Sequence, residues 1–101
     1  MVDIDDTIRI TIEKFSKELG KTYKVKSIYL YGSYSEGNHD EWSDIDLAVI
    51  VDDDNPHSRE IYMKGKSFDS RLDALGFSKN DFDNSLLPIM PEIKRKGIKI
   101  I

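Results

Sequence analysis

Asp44 and Asp46, in the segment Ser43-Asp44-Ile45-Asp46-Leu47, are the residues of this chain best suited to chemistry. In a strand, residues two apart project from the same face, so the two carboxylates stand together. Ile45, Leu47, Val49 and Val51 then face the other way, into a core. Side-by-side carboxylates repel, and a divalent cation between them removes that cost. Mg²⁺ suits the pair, because it prefers hard oxygen ligands and is commonly held by one or two carboxylates plus substrate phosphates. Upstream, Gly32-Ser33 follows an apolar strand-like stretch. Gly32 permits a sharp turn and a close approach of backbone to phosphate. Ser33 then starts a short helix, whose free N–H groups and dipole favour an anion. A phosphate held on a turn beside metal-binding carboxylates is an arrangement suited to in-line phosphoryl transfer.

The surrounding elements must hold these groups. Asp3–Leu19 has the period of an amphipathic helix, with Ile4, Ile8, Ile12, Phe15 and Leu19 on one face and Gly20 as its stop. Lys21–Lys26 is a basic loop and strand entry, read as a solvated edge. Ser27–Tyr31 is the first strand, delivering Gly32; Ser33–Asn38 is the short helix, and Asp44–Val51 the second strand. His39 reads as a surface residue and Trp42 as a packed loop anchor. Asp52-Asp53-Asp54 is a solvated turn rather than a metal site. Asn55 and Pro56 suit the N-cap and first position of a helix running to Lys64, with Gly65 as its stop and His57 exposed in its first turn. Ser67–Phe77 reads as the third strand, with Asp69, Arg71 and Asp73 on one face. Ser78-Lys79-Asn80-Asp81 imitates a capping box. Pro88 or Pro91 opens a last helix through Lys96, ended by Gly97. The apolar tail Ile98–Ile101 fits an edge strand and a partner contact equally well.

Composition narrows the class. At 101 residues, 39% hydrophobic and 34% charged, the chain suits one compact globular domain, 1–101. Without cysteine it has neither disulfides nor a thiolate zinc site. The clean apolar run Leu47–Val51 is far too short to span a bilayer, and the acidic N-terminus does not resemble an export signal, so a cytoplasmic protein is expected. A net charge of −4 argues against a large nucleic-acid surface but not against a nucleotide held through metals.

The run LYGSYSEGNHDEWSDIDLAVI, from Leu30 to Ile50, resembles the signature of the polymerase-β-like nucleotidyltransferase superfamily. More narrowly, it is similar to the minimal nucleotidyltransferases: Gly32, Ser33, Gly37, Ser43, Asp44, Asp46 and Leu47 fall at that family's offsets. The resemblance implies an α/β palm, a small mixed sheet with helices on one face that leaves the carboxylate face open. It implies Mg²⁺ on Asp44 and Asp46, ATP phosphates on Gly32 and Ser33, and nucleotide contacts from Gly37 and Ser43. A third metal carboxylate should come from a later strand; Asp73 is the first choice and Asp69 the runner-up. Relatives often carry a basic residue before the second glycine, and Glu36 stands there instead. The implied reaction is transfer of a nucleoside monophosphate, AMP from ATP, to a hydroxyl acceptor. Minimal nucleotidyltransferases of about this size often pair with helical HEPN-domain toxins, so the resemblance implies a protein partner as acceptor and the role of an antitoxin. A non-catalytic partner-binding module and a small-molecule transferase of the aminoglycoside type are the alternatives. Self-association stays open.

Overall fold

A computed structural model of the chain describes residues 6–32, 44–84 and 87–101. Ser33, Gly37 and Ser43 lie outside the described residues, as do Glu36, His39 and Trp42. The elements, in chain order, are α1 (Asp6–Gly20), β1 (Val25–Tyr31), β2 (Ile45–Val51), α2 (Ser58–Phe68), β3 (Leu72–Ser78), α3 (Lys79–Asp83), α4 (Met90–Lys96) and β4 (Ile98–Lys99). The strands form one mixed sheet in the order β3-β2-β1-β4. β1 runs antiparallel to both β2 and β4, and β2 runs parallel to β3. The parallel step requires a crossover, which α2 supplies. The apolar tail is therefore an edge strand: Tyr29 pairs with Lys99 and Leu30 with Ile98.

The hydrophobic period of α1 does what its spacing implies. Ile8, Ile12, Phe15 and Leu19 are buried. They pack with Ile61 of α2 against Ile28, Leu30, Ile45, Leu47, Val49, Val51, Leu72 and Ala74, the inward set of the three long strands. Both long helices thus share one sheet face. The opposite face is not left fully open, in contrast to the expectation of helices on one side only. Met90 and Ile93 of α4 pack there with Ala48, Ile50 and Phe77, and Phe82 of α3 joins them. The cause is the second alternation of the central strands. Ala48 and Ile50 on β2 and Phe77 on β3 are apolar at the far end, and that half of the face needs a cover.

Two boundaries differ from the sequence expectation, for physical reasons. Gly65 does not stop α2; it lies buried inside the helix, where a Cβ would stand 3.2 Å from the Ala74 Cβ and 3.6 Å from the Phe15 ring. Its lack of a side chain lets helix and sheet approach closely, which outweighs its low helix propensity. The helix therefore continues to Phe68, with Asp69 as its extended C-cap residue. Consequently β3 begins at Leu72, and Asp69 and Arg71 are not strand residues beside Asp73. At the other end, Asn55 accepts from the His57 N–H at 2.9 Å and so stabilises the turn, not the helix. His57 is the N-cap residue, in the left-handed region at φ 50°. By contrast, Ser78 caps α3 as its spacing implies, accepting from the Asp81 N–H at 3.0 Å.

Candidate active site

Strand directions decide where the chemistry-bearing residues meet. Because β1 is antiparallel to β2 and β3 is parallel to β2, the last residues of β1 lie at the same end of the sheet as the first residues of β2 and β3. Tyr31 pairs with Asp46, and Asp46 with Asp73, giving one row across three adjacent strands. Alternation sets their side chains on the face of Tyr29, Ala48 and Leu75, not on the α1–α2 face. The two aspartates are half-buried, while Asp44, just ahead of β2, is exposed. Apolar neighbours hold the row in place: Ile45 and Leu47 flank Asp46, Leu72 and Ala74 flank Asp73, and all four are fully buried.

Gly32 closes this end of the sheet. Its φ is +71°, and a Cβ there would collide with the Oδ2 of Asp46. The turn thus carries the backbone directly against the carboxylate, in a conformation that a side chain would both strain and obstruct. A turn expected to meet phosphate and a carboxylate expected to meet metal are neighbours in space.

The electrostatics match this crowding. Burial pushes the Asp46 carboxyl up to about 6, and the charge of Asp73, a hydrogen bond shared with it, and the charge of Asp44 push in the same direction. Lys66 opposes them. Burial also pushes the Tyr31 phenol up to about 12, reinforced by Asp46, Asp73 and Glu92. A surplus of negative charge in a partly dehydrated position is what a bound cation relieves. Among the described residues no three His, Asp or Glu side chains stand ready to hold a metal by themselves. Mg²⁺ does not need such a cage, since one or two carboxylates, phosphate oxygens and waters complete its shell. The donor set of Asp46 and Asp73, with Asp44 at the rim, fits that habit.

Asp69 is engaged elsewhere. Its Oδ1 accepts from the Arg71 backbone N–H at 2.9 Å and from Nε at 3.3 Å, and its Oδ2 accepts from an Arg71 guanidinium nitrogen at 3.1 Å. The hydrogen bonds from Arg71 hold its carboxyl below the usual range. It closes the turn into β3, whereas Asp73 stands beside Asp46. Tyr31, Lys66 and Glu92 were not singled out from the sequence. For Tyr31 a signal existed: Tyr29 and Tyr31 alternate with the apolar Ile28 and Leu30, so both fall on the face opposite the core. Lys66 and Glu92 come from helices whose approach to the site no local pattern reveals.

Residues 12–96 match the family model described as "Nucleotidyltransferase domain". The chain belongs to this nucleotidyltransferase family. Two curated relatives from Methanocaldococcus jannaschii, each named "Putative protein adenylyltransferase", share 44% identity over 57 residues and 50% over 42 residues. Those stretches cover 56% and 42% of this chain and 57% and 49% of the relatives, so the chain matches about half the length of either. A solved structure described as "Crystal structure of the toxin-antitoxin with AMP-PNP" superposes with a TM-score of 0.64 at 29% identity, over 92% of this chain and 72% of that one. A second, of the toxin–antitoxin pair MntA-HpeT, superposes with a TM-score of 0.63 at 27% identity, over the same shares of the two chains. Its variant has two aspartates, two positions apart, changed to glutamate. The mixed α/β sheet described above is thus the nucleotidyltransferase fold. Among the described residues, no helix is long and apolar enough to cross a membrane.

Proposed function

We propose that this nucleotidyltransferase-family chain transfers AMP from ATP to a hydroxyl group of a protein partner, in the presence of Mg²⁺, and that the partner is a helical toxin of the HEPN type. The observation that carries the proposal is the carboxylate row. Asp46 and Asp73 sit side by side on adjacent parallel strands, with the Gly32 turn packed against Asp46. The family match, the names of the curated relatives and the AMP-PNP and toxin–antitoxin structures support the same reading. Asp44 and Asp46 have the same spacing, one residue between them, as the two aspartates changed in the MntA-HpeT variant, which supports this reading.

In this reading Asp44, Asp46 and Asp73 hold Mg²⁺, which neutralises charge that develops on the transferring phosphoryl group and on the leaving pyrophosphate. Gly32 brings backbone N–H groups close to the β and γ phosphates, and Ser33, Gly37 and Ser43 complete the nucleotide contacts. Asp73 faces the acceptor and takes part in activating its hydroxyl. The acceptor oxygen attacks the α-phosphorus, the bond to the bridging oxygen breaks, and pyrophosphate leaves in line. Fixed carboxylates and a fixed turn supply orientation, which accounts for much of the acceleration in such reactions.

The test is labelling with α-³²P-ATP in a lysate of the native host, with and without Mg²⁺. Wild-type protein is compared with Asp44→Ala/Asp46→Ala. The expected result is one discrete labelled protein that requires both the metal and the aspartates. Absence of any Mg²⁺-dependent protein label, in a lysate shown to contain the binding partner, would overturn protein adenylylation and favour a non-catalytic antitoxin or a small-molecule acceptor.

A further inference from the structure

Lys66 differs from the other lysines of the chain. Among the described residues all the others are exposed, whereas Lys66 is half-buried. Lysine is rarely withdrawn from water without a carboxylate partner, yet among the described residues Lys66 makes no ion pair. Its ammonium donates to the Ser70 carbonyl at 3.3 Å and stands 5.6 Å from the centre of the Tyr62 ring. One long hydrogen bond to a neutral carbonyl leaves most of that charge uncompensated. Arg71 is the contrast, because the Asp69 carboxylate already holds its guanidinium. The backbone fixes where the ammonium lies. Gly65 lets α2 continue past Lys64, so Lys66 falls in the last turn of the helix, close to the start of β3. Ser70 is followed by Arg71, whose carbonyl accepts from the Ile45 N–H at 2.8 Å. Ile45 separates Asp44 from Asp46. The turn from α2 into β3 thus carries the ammonium to the rim of the carboxylate row. Burial leads the upward push on the Asp46 carboxyl, and Lys66 is the cation that opposes it.

We propose that Lys66 is a triphosphate-binding residue, whose ammonium, fixed at the rim of the carboxylate row by the α2–β3 turn, binds a phosphate oxygen of ATP. The inference rests on the proposed function. A triphosphate brings more negative charge than a single Mg²⁺ removes, and the carboxylates beside that metal add to the surplus. An ammonium on a flexible stem suits this task, because it acts as a compact point charge and does not demand one geometry. The Gly32 turn approaches the nucleotide from the β1 side of Asp46, and Lys66 approaches it from the β3 side. The Ser70 carbonyl keeps the ammonium near the rim without neutralising it.

The experiment titrates the full chain with AMP-PNP in the presence of Mg²⁺ by calorimetry, at fixed ionic strength. Lys66→Met keeps the apolar stem and removes the charge. It is expected to weaken AMP-PNP binding about tenfold, while Lys66→Arg retains most of the affinity. In the labelling reaction the KM for ATP should rise by a similar factor. A lysine that only complements the negative end of α2 would instead lower the melting temperature of the nucleotide-free chain and leave AMP-PNP affinity alone. Lys66→Gln provides the same comparison if the methionine variant does not fold. Unchanged AMP-PNP affinity in a folded variant, with wild type binding normally, overturns the role of Lys66 alone. A variant whose one defect is weaker use of the acceptor protein overturns it too, and assigns the cation to the acceptor. A wild-type chain that binds no AMP-PNP with Mg²⁺ overturns both this inference and the proposed function.

Discussion

The two faces of the sheet are built to different rules. On the α1–α2 face every inward position of the long strands, from Ile28 to Ala74, is apolar and buried, and two helices of three to four turns cover it. On the other face the same strands change character half-way along. Ala48, Ile50 and Phe77 are covered by α3 and α4, but the row of Tyr31, Asp46 and Asp73 is polar and half-buried. Fully burying one large apolar side chain contributes about 1.5–3 kcal/mol, so the continuous face is the main source of stability. That surplus lets the opposite face hold like charges together, an arrangement that costs stability in the metal-free protein.

The sharpest way to break this comparison is to exchange the expected consequences. Asp46→Asn should reduce transfer about a thousandfold, the scale of several kcal/mol of lost charge stabilisation. It should leave the metal-free protein as stable as wild type or more so, because it removes one member of a repelling pair. Phe15→Ala, on the continuous face, should do the reverse. Phe15 is fully buried, and its truncation should cost about 3–5 kcal/mol of unfolding free energy. The remaining folded fraction should transfer AMP at a normal specific rate. Denaturant unfolding and initial-rate labelling of both variants provide the cross. A Phe15→Ala protein that stays stable but inactive would show that the two faces are not separable.

Gly32→Ala sharpens the picture at the junction. The new methyl would meet the Asp46 carboxylate in a backbone region unfavourable to alanine. Displacing a ligand by a fraction of an ångström to one ångström is enough for a loss of about a hundredfold in transfer. The accompanying loss of stability should be small, about 1–2 kcal/mol. Activity and melting measured on the same preparation test this, and a variant with near-normal activity would mean that the Gly32–Asp46 contact has no part in the reaction.

A gentler test is pH. The Asp46 carboxyl, pushed up to about 6 by burial and by Asp73 and Asp44, binds its proton more tightly folded than unfolded. It therefore contributes stability that is present below about pH 4 and lost as pH rises through about 6. Asp69, held below the usual range by Arg71, has the opposite sign: its contribution is present above about pH 4 and is lost as pH falls further. Metal-free protein should thus show a decline in melting temperature between pH 4 and 6 that Asp46→Asn abolishes. Added Mg²⁺ with ATP should reverse the decline in wild type. Identical profiles for wild type and variant would refute the assignment to Asp46.

Much of this was legible beforehand because the informative patterns are local. The Asp-x-Asp spacing, the alternation of Ile45, Leu47, Val49 and Val51, and the period of Ile8, Ile12, Phe15 and Leu19 depend only on neighbours in sequence. What local pattern could not supply is the effect of one element on another. Gly65 looks like a stop until Ala74 and Phe15 are brought against it, and then it is a close contact inside a longer helix. The longer helix in turn shifts the start of β3 past Asp69. The cover supplied by α3 and α4 was unreadable for the same reason. Nothing within residues 79–96 states which sheet face their few apolar side chains will meet.

Asp69 and Asp73 provide the smallest and most specific test, because alternation made them look equivalent and the fold separates them. Asp69 closes the turn before β3 and is already satisfied by Arg71, with the two side chains 24% and 38% exposed. A pair so accessible to water contributes roughly 0.2–1 kcal/mol. Asp69→Asn keeps the acceptor for the Arg71 backbone N–H and loses only charge, so its stability should fall by no more than that, and its transfer rate should stay within about twofold of wild type. Asp73→Asn, beside Asp46, should lose transfer on the scale of Asp46→Asn while folding normally. Labelling rates for the two variants under identical Mg²⁺ and ATP decide between them. If Asp69→Asn is the inactive one, the turn into β3 must open in the working enzyme, and the carboxylate row is not the complete site.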